Sequence, residues 1–150
     1  MKTKVRDWMT PDPITIDAGE SIVKALHVLK ERNVRRLPVL KDGKLVGLVT
    51  ERMLLTFSPG KSTSLDSWEV HYLMAQTPVT AAMNPQPHTV TPDTDLADCA
   101  QIIHDRKLNG ITVVDEQGTL VGILTTTNAL EALIWFTRQM RDGAAAALRG

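Results

Sequence analysis

The chain has 150 residues, 43% hydrophobic and 23% charged, enough for one substantial core or two small ones joined across an interface. Its 17 basic residues are balanced by 17 acidic ones, so it lacks the cationic excess expected of a nucleic-acid-binding module. No apolar run approaches the roughly 20 residues that span a bilayer, and Cys99 is the only cysteine, which excludes an intrachain disulfide and, among apolar neighbours, predicts a buried thiol.

The basic start lacks the apolar stretch of a secretion signal, so a cytoplasmic location is expected. Residues 5–16, VRDWMTPDPITI, form an extended lead-in. Residues 17–33 follow as a helix: Asp17 and Glu20 stand at capping-box spacing, and Ile22, Ala25, Leu26 and Leu29 share a face. Residues 37–40 are a short apolar run split by Pro38. The turn Lys41-Asp42-Gly43-Lys44 then leads into a buried strand at 45–49, completing a hairpin. A helix over 50–57 ends at Ser58-Pro59-Gly60, a loop covers 60–64, and a short helix covers 65–73. Trp68, Tyr72 and Leu73 give that last helix an apolar side, predicted to pack across the junction between two halves.

The second half repeats the course. Residues 79–90, VTAAMNPQPHTV, match the lead-in at Val5/Val79, Met9/Met83, Pro11/Pro85, Pro13/Pro87 and Thr15/Thr89, all at an offset of 74. Leu96, Cys99, Ala100 and Ile103 form a helical stripe that ends near 107–110. Strands at 111–114 and 120–124 flank a longer turn, and GTLVGILTTTN from Gly118 matches GKLVGLVTERM from Gly43 at an offset of 75. A helix over 125–140 closes the half; the alanine run at 144–147 has high helix propensity, with Gly143 a candidate break. The predicted organisation is a repeat at 1–64, a connecting helix and linker at 65–78, and a repeat at 79–150. Each repeat is a small α+β unit with two helices on a mixed sheet, marginal alone and stabilised by its twin.

Several features suit an anion or nucleotide cleft. Thr50 and Thr125 each follow a strand and open a helix, where free N–H groups and the helix dipole attract phosphate; each is equally a plain helix cap. Gly47 and Gly122 permit close backbone approach, and Arg35 and Arg36 offer positive charge beside the strand that follows them. The four histidines show no metal-ligand spacing, no triad, P-loop or dinucleotide fingerprint is legible, and the expectation is no metal and no enzyme.

Together, the two lead-ins ending in Thr15 and Thr89, the strand Leu37-Pro38-Val39, and the elements Gly47-Leu48-Val49-Thr50-Glu51-Arg52-Met53 and Gly122-Ile123-Leu124-Thr125-Thr126-Thr127-Asn128 resemble the tandem CBS domain pair, or Bateman module. The resemblance covers almost the whole chain. It implies a pseudo-two-fold α+β pair that senses an adenosine ligand (AMP, ADP, ATP or S-adenosylmethionine) between the repeats, dimerises through helical faces, and regulates a protein partner. Carried over by motif, the first-copy site comprises Thr15, Arg36, Pro38 and Thr50. The second comprises Thr89, Gly110, Ile111, Thr112 and Thr125, with His88 beside it. The aspartate that usually accepts both ribose hydroxyls is Met53 in the first copy and Asn128 in the second. An asparagine can accept one ribose bond and donate another, which favours the second-copy site. The alternative expectation is a non-catalytic structural or protein-interaction module with no physiological nucleotide. The dimer face is expected around Leu54, Leu55, Ala129, Leu130, Leu133, Ile134 and Trp135.

Overall fold

The computed structural model describes residues 1–57 and 66–149. Its chain order is a 3₁₀ turn (Val5–Asp7), β1 (Thr10–Pro11), β2 (Ile16–Asp17), α1 (Ile22–Glu31), β3 (Arg36–Lys41), β4 (Lys44–Thr50), α2 (Glu51–Thr56) and α3 (Ser67–Gln76). A second 3₁₀ turn (Val79–Ala81), β5 (Thr89–Val90), α4 (Leu96–Asp105), β6 (Gly110–Val114), β7 (Leu120–Thr125) and α5 (Thr126–Arg149) complete it. The expected loop at 60–64 and the stop at 58–60 lie outside the described residues.

The two first helices end alike. Asn33 and Lys107 take left-handed φ values of 52° and 54°. The next N–H in each case reaches back to the last helical turn, Val34 to Leu29 at 3.0 Å and Leu108 to Ile103 at 2.9 Å, a Schellman close. The start of α1 differs from expectation. Ser21, whose hydroxyl accepts from the Lys24 N–H at 3.0 Å, caps α1. Asp17 instead accepts from the Gly19 N–H at 3.1 Å in a local turn, so the helix begins five residues late.

β3 and β4 form the expected hairpin, with Asp42 and Gly43 at φ 51° and 78°, the two positive values that a type I′ turn requires. Pro38 does not split β3. Parallel β2 pairs only with Val39 and Leu40, so the missing N–H of Pro38 falls beyond that short edge. α5 also outruns its expected end, continuing through Gly143 to Arg149. The alanines that follow it supply the propensity to absorb one glycine.

The chain divides into two compact units, one holding residues 1–11, 89–116 and 121–149, the other the described residues of 12–88 and 117–120. In the first, the strand order is β1-β7-β6-β5. Its core joins Val5 to Val90, Leu96, Cys99, Ile111, Val113 and Leu124, so the first lead-in belongs to the core of the second repeat. In the other unit the order is β2-β3-β4, and Val79 lies among Ile16, Ile22, Leu37, Val39, Val49 and Leu54. The second lead-in therefore completes the first repeat: Asn84 exchanges both backbone hydrogen bonds with Leu48, at 2.9 and 3.0 Å.

This exchange explains the two repeated glycines. A Cβ on Gly47 would stand 2.9 Å from the Asn84 carbonyl oxygen and run into the Met83 sulfur. A Cβ on Gly122 would stand 3.0 Å from the Thr10 carbonyl oxygen and 2.7 Å from the Met9 sulfur. The close approach permitted at each glycine is thus to a crossing methionine and its neighbour.

The connecting helix departs from expectation as well. α3 packs on α1, with Met74 against the core, while Trp68 and Tyr72 are 79% and 65% exposed. Those two rings do not pack inside the described chain.

Candidate functional site

In the first unit Thr89, Gly110, Ile111, Thr112 and Thr125 lie on the neighbouring strands β5, β6 and β7, and Asn128 lies in the first turn of α5. Thr89 and Thr112 face each other across the parallel β5–β6 pair; Thr89 is exposed and Thr112 buried. Gly110 and Ile111 precede Thr112 on β6. The Thr126 N–H donates to the Asn109 carbonyl at 3.1 Å, tying the start of α5 to the residue before that strand.

Thr125 and Asn128 form a reciprocal cap. The Asn128 N–H donates to Thr125 Oγ1 at 3.3 Å, and Asn128 Oδ1 accepts from the Thr125 N–H at 2.8 Å and from its hydroxyl at 3.0 Å. The Asn128 oxygen, expected to be available to a ribose hydroxyl, is thus engaged twice by Thr125. The other end of the amide, Nδ2, donates to Thr10 Oγ1 at 3.4 Å. Asn128 is 7% exposed, whereas Thr10, on the exchanged strand β1, is exposed. Sequence reading missed Thr10. Its one signal was position, since it aligns with Asn84 in the other lead-in and both precede a proline, but the exchange that carries it to Asn128 spans 118 residues.

The first-copy residues gather in the other unit. Thr15 immediately precedes β2, and Arg36 stands opposite Thr50 in the β3–β4 register. Thr50 Oγ1 accepts from the Met53 N–H at 3.2 Å, and the Glu51 N–H donates to the Arg35 carbonyl at 3.4 Å, matching Thr126 and Asn109. Met53 has no oxygen with which to return the cap. Pro38 is buried, and burial, reinforced by neighbouring Arg35, lowers the pKa of Arg36. His88 is exposed and falls in this unit, one residue before Thr89.

Two apolar concavities lie elsewhere. One of about 480 Å³ runs between α4 and α5, lined by Leu96, Ala97, Ala100, Ala129, Leu133 and Phe136. Another of about 600 Å³ lies along α3 beside Trp68, Tyr72 and Leu73. Among the described residues, no group of three or more His, Cys, Asp or Glu is placed to hold a metal, and no helix is long and apolar enough to cross a membrane.

A doubled α+β unit with a capped helix after each hairpin defines a tandem-repeat module. The CBS domain family model matches residues 5–60 and again 79–134, and the chain belongs to that family. It is 28% identical over 141 residues to a CBS domain-containing protein of Dictyostelium discoideum, covering 89% of this chain and 93% of that one. The chloroplastic CBS domain-containing protein CBSX2 of Arabidopsis thaliana is 33% identical over 158 residues, and the match spans 92% of this chain and 66% of that one. The crystal structure of CBSX2 in complex with AMP superposes with a TM-score of 0.74 at 33% identity, covering 90% of this chain and 98% of that chain. The cytosolic domain of the Mg2+ channel MgtE in complex with ATP superposes at 0.71 with 25% identity, over 88% of this chain and 49% of that chain.

Proposed function

We propose that this chain is a non-catalytic regulatory module that binds an adenosine nucleotide, AMP, ADP, ATP or S-adenosylmethionine, and that it works in the cytoplasm as a homodimer acting on a protein partner. The observation that carries the reading is family membership joined to a 33% identical relative crystallised with AMP. The second-copy residues Thr89, Gly110, Ile111, Thr112 and Thr125 carry the site, with His88 and Asn128 at its edge and Thr15, Arg36, Pro38 and Thr50 forming its first-copy counterpart. The repeats 1–64 and 79–150, joined by 65–78, are the evolutionary units of this module. Exposed Leu130, Leu133 and Ile134 support the dimer, since apolar side chains 49–58% exposed along α5 mark a helix face that a twin chain would cover.

A thermal-shift titration tests the nucleotide. Binding to the folded state raises the midpoint by mass action, by the equivalent of about 2.7 kcal/mol at a hundred times Kd. A concentration-dependent rise with one of AMP, ADP, ATP or S-adenosylmethionine is expected, and it should disappear in Thr125→Val. A flat response to all four at millimolar ligand refutes the sensor. The reading then left standing is a protein-interaction module, which the exposed Trp68 and Tyr72 of α3 favour.

A further inference from the structure

Three aromatic rings from the N-terminal segment and α5 meet in the first unit. Trp8 and Trp135 stand edge to face, with centroids 5.9 Å apart and planes inclined at 62°. Phe136 braces the pair, 6.2 Å from Trp8 and 4.9 Å from Trp135. Trp8 and Phe136 also pack on the buried core, which fixes the walls of this corner. A cation already lies there. Lys2 Nζ sits over both indoles, 5.8 Å from the Trp8 centroid and 5.7 Å from that of Trp135. Both distances fall within cation–π range. The next cations along the segment are held differently, Lys4 by Asp95 and Arg6 by Asp93.

The segment does not need the Lys2 head group to keep its place. Its backbone is tied by the Leu96 N–H to the Thr3 carbonyl at 2.8 Å and by the Val5 N–H to the Thr94 carbonyl at 3.0 Å. Trp8 Nε1 donates to the Lys2 carbonyl at 2.8 Å. The Lys2 side chain is exposed, and confining so flexible a chain to one position costs entropy. Its ammonium is also strongly hydrated, with three donors that the rings satisfy poorly. A quaternary ammonium has no N–H to leave unpaired and can lay methyl groups against both indoles, so it suits the corner better. Lys2 thus marks a cation position that a better cation can take.

Once displaced, Lys2 stays close, because Trp8 still holds its carbonyl. Its charge then repels a plain cation and attracts an anionic group on the incoming molecule. We propose that the Trp8–Trp135 corner binds a small zwitterion with a trimethylammonium head and a carboxylate, of which glycine betaine is the simplest. The head lies on the two indoles and the carboxylate meets the displaced Lys2 ammonium. This site shares no residue with the proposed nucleotide site.

The test is an NMR titration of the full, isotope-labelled chain at constant ionic strength, following the indole N–H signals of its three tryptophans. Glycine betaine should shift the Trp8 and Trp135 signals saturably and leave that of Trp68, exposed on α3, unmoved. Choline should bind about threefold more weakly, the scale of one exposed ion pair. Its neutral carbon isostere, 3,3-dimethylbutan-1-ol, should shift neither signal. In Lys2→Ala, choline should tighten about threefold as the resident cation is lost, and betaine should lose its lead. Trp135→Leu should abolish the Trp8 response, and Trp135→Phe should keep it. Equal shifts with the neutral isostere reduce the corner to an apolar patch and overturn the proposal. So does a betaine-to-choline order unchanged in Lys2→Ala, or the absence of any saturable shift at tens of millimolar betaine.

Discussion

Cys99 is completely buried, and that burial pushes its thiol pKa up to about 11. The folded value thus lies above the roughly 8.5 of an unfolded chain, so the folded state holds its proton where the unfolded state loses it. The associated stability is full below about pH 8.5 and declines as pH rises from there through about 11. Urea denaturation across this window should show a fall in stability that is shallower in Cys99→Ala. At pH 8, a thiol reagent should label the native chain only at the rate of opening, and the urea-unfolded chain at once. Thr125 and Asn128 belong to the same scale. Thr125 was legible as a helix cap, and the cap exists; Asn128 was expected to meet a ribose, and its oxygen instead returns the cap. The direction of the amide was not legible, because it is set by the hydrogen bonds of the folded cap, with the oxygen held by the Thr125 N–H and hydroxyl and the nitrogen meeting Thr10, a residue whose approach the sequence pattern does not reveal.

Among the elements, the glycines at 47 and 122 are the sharpest case. Their recurrence within two matching strands marked close backbone approach, which the structure contains. What approaches is the methionine and neighbouring carbonyl of an exchanged lead-in. Alanine at Gly122 would force the Met9 sulfur and the Thr10 carbonyl outward, and alanine at Gly47 would do the same to Met83 and Asn84. Each substitution should cost about 1–3 kcal/mol, the usual penalty for overpacking, measured as a lower urea midpoint at unchanged slope. Gly43 and Gly118, where an added Cβ meets nothing within 4 Å, resist substitution for a different reason, their positive φ of 78° and 80°. The helices divide along similar lines. The stripes of α1 and α4 pointed inward as their periodicity required. α3 did not follow its apolar pattern, because its Trp68-Tyr72 side is turned from α1.

For the whole molecule, the consequence of the exchange is that neither sequence repeat contains its own complete core. Val5 is fully buried among residues 90 to 132, and Val79 among residues 16 to 54. Val5→Ala should therefore destabilise the second-repeat core, and Val79→Ala the first, each by about 2 kcal/mol of lost burial and cavity formation. Hydrogen exchange can assign the effect. Val5→Ala should lower protection in β6, β7 and α4, and greater loss in β3 and β4 would contradict the exchanged arrangement. Two units linked in this way give a physical reason for the duplicated chain, since each repeat depends on a segment supplied by the other.

The sequence by itself determined the duplication, the apolar stripes, the hairpin turn at 41–44 and the two capping threonines. These are effects of residues one to four positions apart, or of direct similarity between halves, and they need no knowledge of the partner surface. Only the tertiary structure decided which lead-in completes which sheet, which rings of α3 remain exposed, and which way the Asn128 amide is turned. Both lead-ins carry the same valine, methionine and proline positions, and both sheets carry the same admitting glycine, so local pattern is equally consistent with either pairing. The choice is made by burial and hydrogen bonding between residues distant in the chain, where no local periodicity reaches.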